Sequence, residues 1–328
     1  MKTILVTGAA GWIGRHVCAK LQARGCRVVA YDLVAGEGPW DEAYVGALED
    51  LAQPSADLRR LLGNVAAVVH CAGRAHRPVE TAAEVALFER TNVVGTRDLL
   101  TACRAAGVKR LVYISTIAGY DWATAPTTGA SEGAKLHPQT AYARSKLEAE
   151  RLVGESGLDW RSVRLATVFG AGDRANFAKL AGALRSGKFV VPGQGSARKS
   201  VIPVGLAAEV LACLALLDVP RHRLLNVAIP EAPTLRAICD VFSAECGFRR
   251  ARAVPLGLLR TAAVVGDGIA RLRPNFPLTS VNLRKLTTST VVDASRLYET
   301  LPDIQWPTFA EALKPAAEYY RGFAGRET

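Results

Sequence analysis

A doubly wound α/β fold, with helices covering both faces of a parallel sheet, is predicted by three features of the sequence. Apolar β-rich runs alternate with helical stretches through about residue 165. The runs are continuously apolar, as strands buried on both faces must be. The first of them turns on glycines directly into a helix.

Ile4-Leu5-Val6-Thr7 is the first strand. Gly8, Gly11 and Gly14 follow it at a spacing of three, and Ile13, Val17 and Leu21 share one side of the helix that begins there. A strand that turns on glycines into a helix is an anion cradle. Gly8 permits the tight turn, Gly11 lets a pyrophosphate approach the backbone, and Gly14 lets helix and strand pack closely. The first free N–H groups, over Gly11-Trp12-Ile13-Gly14, then point at the phosphates. Arg27–Tyr31 is the second strand and ends in Asp32. An acid there accepts hydrogen bonds from the adenosine ribose hydroxyls and repels a 2′-phosphate, so the expected cofactor is NAD rather than NADP. Arg15, just after the glycines, would soften that preference if it reached a 2′-phosphate.

Further strands are expected at 43–45, 65–70, 110–115 and 161–165, with helices near 12–24, 56–62, 83–106 and 140–156. Ligands of such sheets lie beyond the carboxyl ends of the strands, where Gly8, Asp32, Ala72 and Ser115 fall. Residues 1–170 therefore read as a dinucleotide-binding domain. Beyond them the pattern loosens, with helices near 204–217 and 234–246 and one more buried strand at 224–227. Residues 171–328 read as a smaller α/β substrate lobe with segments returning to the sheet. The apolar stretch Pro255–Leu272, with Arg260, Arg271 and Arg273, reads as a packed lobe helix in preference to an amphipathic helix lying on a membrane.

The net charge is +11, but the basic residues are dispersed. No recognition helix or aromatic–basic interleaving points to nucleic acid. No apolar run approaches the ~18 residues that would span a membrane, and the first strand begins too early for a secretory signal, so a cytoplasmic protein is expected. The seven cysteines form no Cys-x-x-Cys pair. His70, His76, His137 and His222 lack ligand spacing, so neither a disulfide frame nor a metal site is expected.

Tyr142-Ala143-Arg144-Ser145-Lys146 opens the helix after Pro138. Tyr142 and Lys146, four apart, stand one turn above each other on one face. A cation one turn away, together with an oxidised nicotinamide, would stabilise the phenolate of Tyr142 and suit it to acid–base work. Ser115-Thr116 ends the fifth strand and offers a hydroxyl to polarise a substrate oxygen.

Here the chain resembles the extended short-chain dehydrogenase/reductase family, specifically its NAD-dependent epimerase/dehydratase group with a Rossmann domain. The resemblance is carried by Thr7–Gly14, His70-Cys71-Ala72-Gly73, Asn92–Thr96, Tyr113–Thr116, Tyr142–Lys146, Arg164–Gly170, Asn226-Val227, Asp293–Leu297 and Trp306-Pro307. It implies that Tyr142 is the acid–base catalyst, supported by Lys146 and assisted by Thr116. It implies further cofactor contacts at Leu48, Cys71, Ala72, Gly73, Ile114, Ala166 and Val168. Substrate contacts are implied at Thr116, Thr167, Asn176, Phe177, Arg198 and Lys199, the last four at a nucleotide diphosphate. A homodimer through the helices near 83–106 and 140–156 follows by the same analogy.

The branch most resembled is that of UDP-glucose 4-epimerases. Ala47 stands where the family usually has an acid for the adenine, Thr167 where typical hexose 4-epimerases have Asn, and Gly205-Leu206 where an Asp pair is usual. Ile117-Ala118 replaces the Asp-Glu of 4,6-dehydratases, which argues against water loss. The expected activity is 4-epimerisation of a nucleotide-linked sugar. A reductase of a nucleotide-linked 4-keto sugar, a dehydrogenase of a non-sugar alcohol and a non-catalytic NAD sensor stay open as alternatives.

Overall fold

The structure is a computed structural model describing residues 1–34, 36–75, 81–273 and 276–323. Strands β1 (Thr3–Thr7), β2 (Arg27–Asp32), β3 (Glu42–Val45), β4 (Ala67–His70), β5 (Arg110–Thr116), β6 (Asp159–Leu165), β7 (Thr167–Phe169), β8 (Val190–Pro192), β9 (Val201–Pro203), β10 (Leu224–Val227) and β11 (Arg252–Val254) alternate with helices. The first ten of these are α1 (Trp12–Gln22), α2 (Ala56–Leu62), α3 (Ala82–Phe88), α4 (Gly95–Ala105), α5 (Ala141–Gly154), α6 (Asn176–Arg185), α7 (Val204–Leu216), α8 (Leu235–Cys246), α9 (Leu256–Ala270) and α10 (Ser280–Thr287).

Seven strands form one sheet in the order β10-β6-β5-β4-β1-β2-β3, every neighbouring pair parallel. The chain reverses its direction of growth between β1 and β4, and that switch point opens a crevice at the carboxyl ends of both strands. Successive residues point to opposite faces, and the core divides accordingly. Ile4, Val6, Val28, Ala30, Val69 and Val112 pack with Val17 and Leu21 of α1 and with Ala208 and Leu211 of α7. Leu5, Val29, Val68, Leu111 and Tyr113 pack on the other face with Leu58 of α2, Leu99 of α4 and Val153 of α5. Each of the valines, leucines and isoleucines among them contributes about 1.5–3 kcal/mol on burial.

Residues beyond 170 return to the sheet, since β10 pairs with β6 and α7 packs on α1. The helix expected over 83–106 is interrupted: a π-helical turn spans Glu89–Val94 between α3 and α4. The apolar period runs through this segment, and what departs from it is the buried, multiply bonded Asn92. Such bulges occur frequently at functional sites. Parallel two-stranded pairs, β7–β9 and β8–β11, lie outside the main sheet.

Candidate active site

The glycine turn sits at the switch point. Gly8 has φ +66°, and a Cβ there would lie 2.6 Å from the Ala72 nitrogen, so the loops after β1 and β4 touch backbone to backbone. A Cβ on Gly14 would lie 2.0 Å from the Gly8 oxygen, which is how closely α1 seats on the turn. Gly11 is the N-cap of α1, with no side-chain cap and no acid in the first turn. The helix N-terminus thus keeps donors and positive potential directed at its end. Trp12 donates its indole N–H to the Ala171 carbonyl at 2.7 Å, so only its backbone and that of Ile13 remain for an anion.

The Asp32 carboxylate accepts from the Ala10 N–H at 2.9 Å and from the Leu33 N–H at 2.7 Å. It thereby steadies the glycine loop from the end of β2. Arg15 donates to the Ala10 and Glu37 carbonyls and lies 5.3 Å from the Trp40 ring. Leu48, beside the turn after β3, is buried against Gly95. Tyr31 donates to the Ala47 carbonyl and the Ala47 N–H donates to Asp50, so the backbone of Ala47 is already engaged.

A buried chain of hydrogen bonds joins this end of the crevice to α5. The Ala72 N–H donates to Thr7 Oγ1, Thr7 pairs with His70 Nδ1 at 2.7 Å, and His70 Nε2 pairs with Thr96 Oγ1 at 2.9 Å. Thr96 donates to the Asn92 carbonyl, so its oxygen accepts from His70, which fixes the Nε2–H tautomer. Burial, and then Lys146, push the His70 imidazole down to about 3, which keeps it neutral. Asn92 donates to Ser145 Oγ at 2.9 Å and to the Arg74 carbonyl, and accepts from the Arg74 N–H. Ser145 donates to the Tyr142 carbonyl. Both members of the Tyr–Lys pair are therefore carried on a turn held from the β4 side.

Thr116 closes β5, and its hydroxyl hydrogen-bonds the Tyr142 phenol. Burial raises the Tyr142 phenol above its ordinary value, and this hydrogen bond works against the rise. The net shift is thus upward, opposite to the lowering expected from the cation and an oxidised nicotinamide together. Lys146 is 5% exposed, its ammonium 4.2 Å from the Tyr113 ring centroid. Burial lowers it from 10.5 to about 7, opposed by Cys71 and Glu150. A Cβ on Gly73 would come 3.1 Å from Asn92 Oδ1 and 3.6 Å from Lys146 Nζ. Bare backbone therefore faces the lysine. Ile114 and Cys71 flank these groups on β5 and after β4.

The structure thus brings Thr116, Tyr142 and Lys146 to one end of the sheet, beyond the glycine turn. The substrate residues named from the sequence lie in several settings. Ala166 and Val168 flank Thr167, which pairs with Val201 between β7 and β9. Asn176 is exposed at the start of α6. The Phe177 ring is buried among Phe169, Phe242 and Phe309, at 5.3, 5.9 and 6.1 Å. Arg198 donates to the Ala232 carbonyl. Lys199 donates to the carbonyls of Lys285, at 2.8 Å, and Thr288, where it caps the end of α10. Burial brings its ammonium down to about 8.

Sequence reasoning missed the supports behind the catalytic face. Glu150 continues the i, i+4 series of Tyr142 and Lys146, and Arg164 grips it with 2.6–3.2 Å bonds while also donating to Tyr120. The four-residue spacing was the available signal for Glu150. Among the described residues no group of three His, Cys, Asp or Glu gathers to hold a metal. His76 lies outside them.

The model of the NAD-dependent epimerase/dehydratase family matches residues 4–228. A 2-alkyl-3-oxoalkanoate reductase of Stenotrophomonas maltophilia is 34% identical over 59% of this chain and 59% of its own length. A UDP-glucose 4-epimerase of Vibrio cholerae is 31% identical over 55% of this chain and 56% of its own length. The chain thus spans rather more than half of either relative. The UDP-glucose 4-epimerase of Brucella ovis in complex with NAD superposes with a TM-score of 0.75 at 20% identity, covering 98% of this chain and 99% of that one. That likeness concerns the fold. With crevice, glycine turn and family model in agreement, the chain belongs to the NAD-dependent epimerase/dehydratase family of extended short-chain dehydrogenases/reductases.

Proposed function

We propose that the enzyme inverts the 4-hydroxyl of a hexose carried on a nucleotide diphosphate, and that it keeps NAD through the turnover. The observation that carries this reading is the hydrogen-bonded Thr116–Tyr142 pair beside buried Lys146 and bare Gly73, beyond the glycine turn. The residues fit a dinucleotide. The uncapped start of α1 with Trp12 and Ile13 takes the pyrophosphate, Asp32 the adenosine ribose, and Leu48 borders the adenine. Cys71, Ala72, Gly73, Ile114, Ala166 and Val168 line the way to the reacting end. Bound there, NAD supplies a hydride acceptor that returns the hydride.

Tyr142 takes the proton of the 4-hydroxyl while Thr116 holds the same oxygen. Once the 4-keto sugar has turned over in the site, Tyr142 returns the proton. Lys146 supplies the positive charge that brings the buried phenol into working range when ligands are present. Thr167 faces the sugar, while Asn176, the backbone at Phe177, Arg198 and Lys199 serve the diphosphate. Lys199 must leave its α10 carbonyls to do so. The protein is proposed to be cytoplasmic and a homodimer through α4 and α5.

Incubation with UDP-glucose and UDP-galactose, without added cofactor, followed by proton NMR of the anomeric region tests the reading. Interconversion that disappears in Tyr142→Phe supports it, and inertness toward UDP-hexoses sinks it. The similarity to a reductase of a 3-oxoalkanoate favours a second reading, in which the same three residues reduce a ketone with a dissociating cofactor. Turnover of a keto substrate that consumes added NADH or NADPH would identify it. A protein that binds NAD and turns over neither substrate would be the non-catalytic sensor.

A further inference from the structure

Helix α9 buries only one side. Leu259, Ala263 and Gly266 face the protein, packed with Leu283 of α10 and the β8–β11 pair. The approach at Gly266 is so close that a Cβ would lie 1.8 Å from the Leu278 carbonyl. Asp267 accepts from the Ser280 N–H at 2.9 Å, so α9 and α10 are fastened as a unit. The opposite face is also apolar. Leu258, Val264, Val265 and Leu272 are 65%, 67%, 62% and 88% exposed, with Ile269 beside them and Val281 of α10 nearby. Leu258, Thr261, Val265 and Ile269 follow the three- and four-residue spacing of a single helical stripe, which carries no charge, and Leu272 lies just past the helix end.

The surroundings are basic. Arg260 and Arg271, eleven residues apart, fall on one flank of the stripe, and both are exposed. Arg273, Arg284 and Lys285 are also exposed, and Asp267 is the single acid in the sequence between 249 and 285. An apolar ridge with a cationic border complements an anionic lipid surface, in which the ridge enters the acyl boundary while the arginines meet headgroups. The helix has 15 residues, about 22 Å at 1.5 Å each, and no described helix is long and apolar enough to cross a membrane. With its inner side fastened to the protein, α9 can only lie flat.

We propose that the α9–α10 face seats the enzyme on an anionic phospholipid surface, with the outward stripe of α9 dipping into the interface. The carbonyls at the end of α10 hold Lys199, so the seated pair is bonded directly to the segment that leads into β9, the partner of β7. This docking stands independently of the reaction catalysed.

The test is co-sedimentation of the full-length protein with phosphatidylcholine vesicles, with and without about one-third phosphatidylglycerol. The expected result is binding to the anionic vesicles that weakens with salt and is near background on pure phosphatidylcholine. Leu258→Glu with Val265→Glu lowers binding at least tenfold, and Arg260→Gln with Arg271→Gln lowers it about tenfold on anionic vesicles alone. These side chains are exposed, so an unchanged thermal midpoint shows that the variants are folded. Equal binding to both vesicle types, no binding, or binding indifferent to both double substitutions overturns the proposal. So does a stripe variant that turns dimers into monomers while the parent ignores vesicles, which would make a second copy the occupant.

Discussion

Lys146 offers the most quantitative prediction, because its cost to the fold is written in its burial. In the unfolded chain the amine takes its proton as pH falls through about 10.5, but in the folded protein not until about 7. Between those values the unfolded state binds more protons, so stability contributed at this site rises with pH. The gap of roughly 3.5 units corresponds to about 5 kcal/mol at most. That penalty is fully present below about pH 7 and gone above about 10.5. Replacing Lys146 with Met removes the titrating group and keeps most of its volume. Urea denaturation of the cofactor-free protein at several pH values then gives the variant a stability advantage that is greatest at or below neutrality, of order 3–5 kcal/mol. The advantage shrinks toward alkaline pH. Lost contact with Tyr113 shifts every point alike, and titrating groups that Lys146 does not influence cancel in the difference. A difference independent of pH, or one growing with pH, would refute the burial argument.

Other consequences can be measured separately. Tyr142→Phe should cut turnover by about 10²–10⁴ with bound NAD unchanged, and retention of more than a few per cent of turnover would remove the residue from acid–base duty. Gly14→Ala forces a methyl to within 2.0 Å of the Gly8 oxygen, so it should cost about 1–3 kcal/mol in thermal denaturation and empty the cofactor site. A variant as stable and as fully loaded as the parent contradicts the close seating of α1. Asp32→Asn keeps an acceptor for Ala10 while losing the charge, so the ratio of NADP to NAD affinity should rise about tenfold. If the parent already binds both equally, Asp32 does not exclude a 2′-phosphate. Lys199→Ala should loosen the end of α10 by about 1 kcal/mol and weaken a UDP-sugar in calorimetric titration, and unchanged sugar affinity would leave it only the capping role.

The parallel sheet was legible in the sequence because its central strands are buried on both faces and read as apolar runs, as at Ile4-Leu5-Val6 and Ala67-Val68-Val69. The glycine turn, Asp32 and the Tyr142–Lys146 pair were legible because each is local, its meaning set by spacing along one element. The π-helical turn at 89–94 was not, since the apolar period crosses it and only the buried bonds of Asn92 mark it. Nor was the setting of Lys199, whose partners lie 86 and 89 residues away, or of Phe177, whose ring meets phenylalanines from three other segments. The outward face of α9 was half legible. The stretch was read as a packed lobe helix in preference to one lying on a membrane, and composition could not say that the packed side would be only Leu259, Ala263 and Gly266. The three-residue strands β7, β8, β9 and β11 are too short to leave a period of their own.

The central claim is that Tyr142 works beside a cofactor that is regenerated in every turnover and never needs to leave. Absorbance and mass spectrometry of what the purified protein releases on denaturation test it most directly. The account predicts NAD⁺ or NADH at about one per chain. A site that comes away empty, yet binds added NADH or NADPH reversibly, would contradict it and identify a dissociating reductase or dehydrogenase.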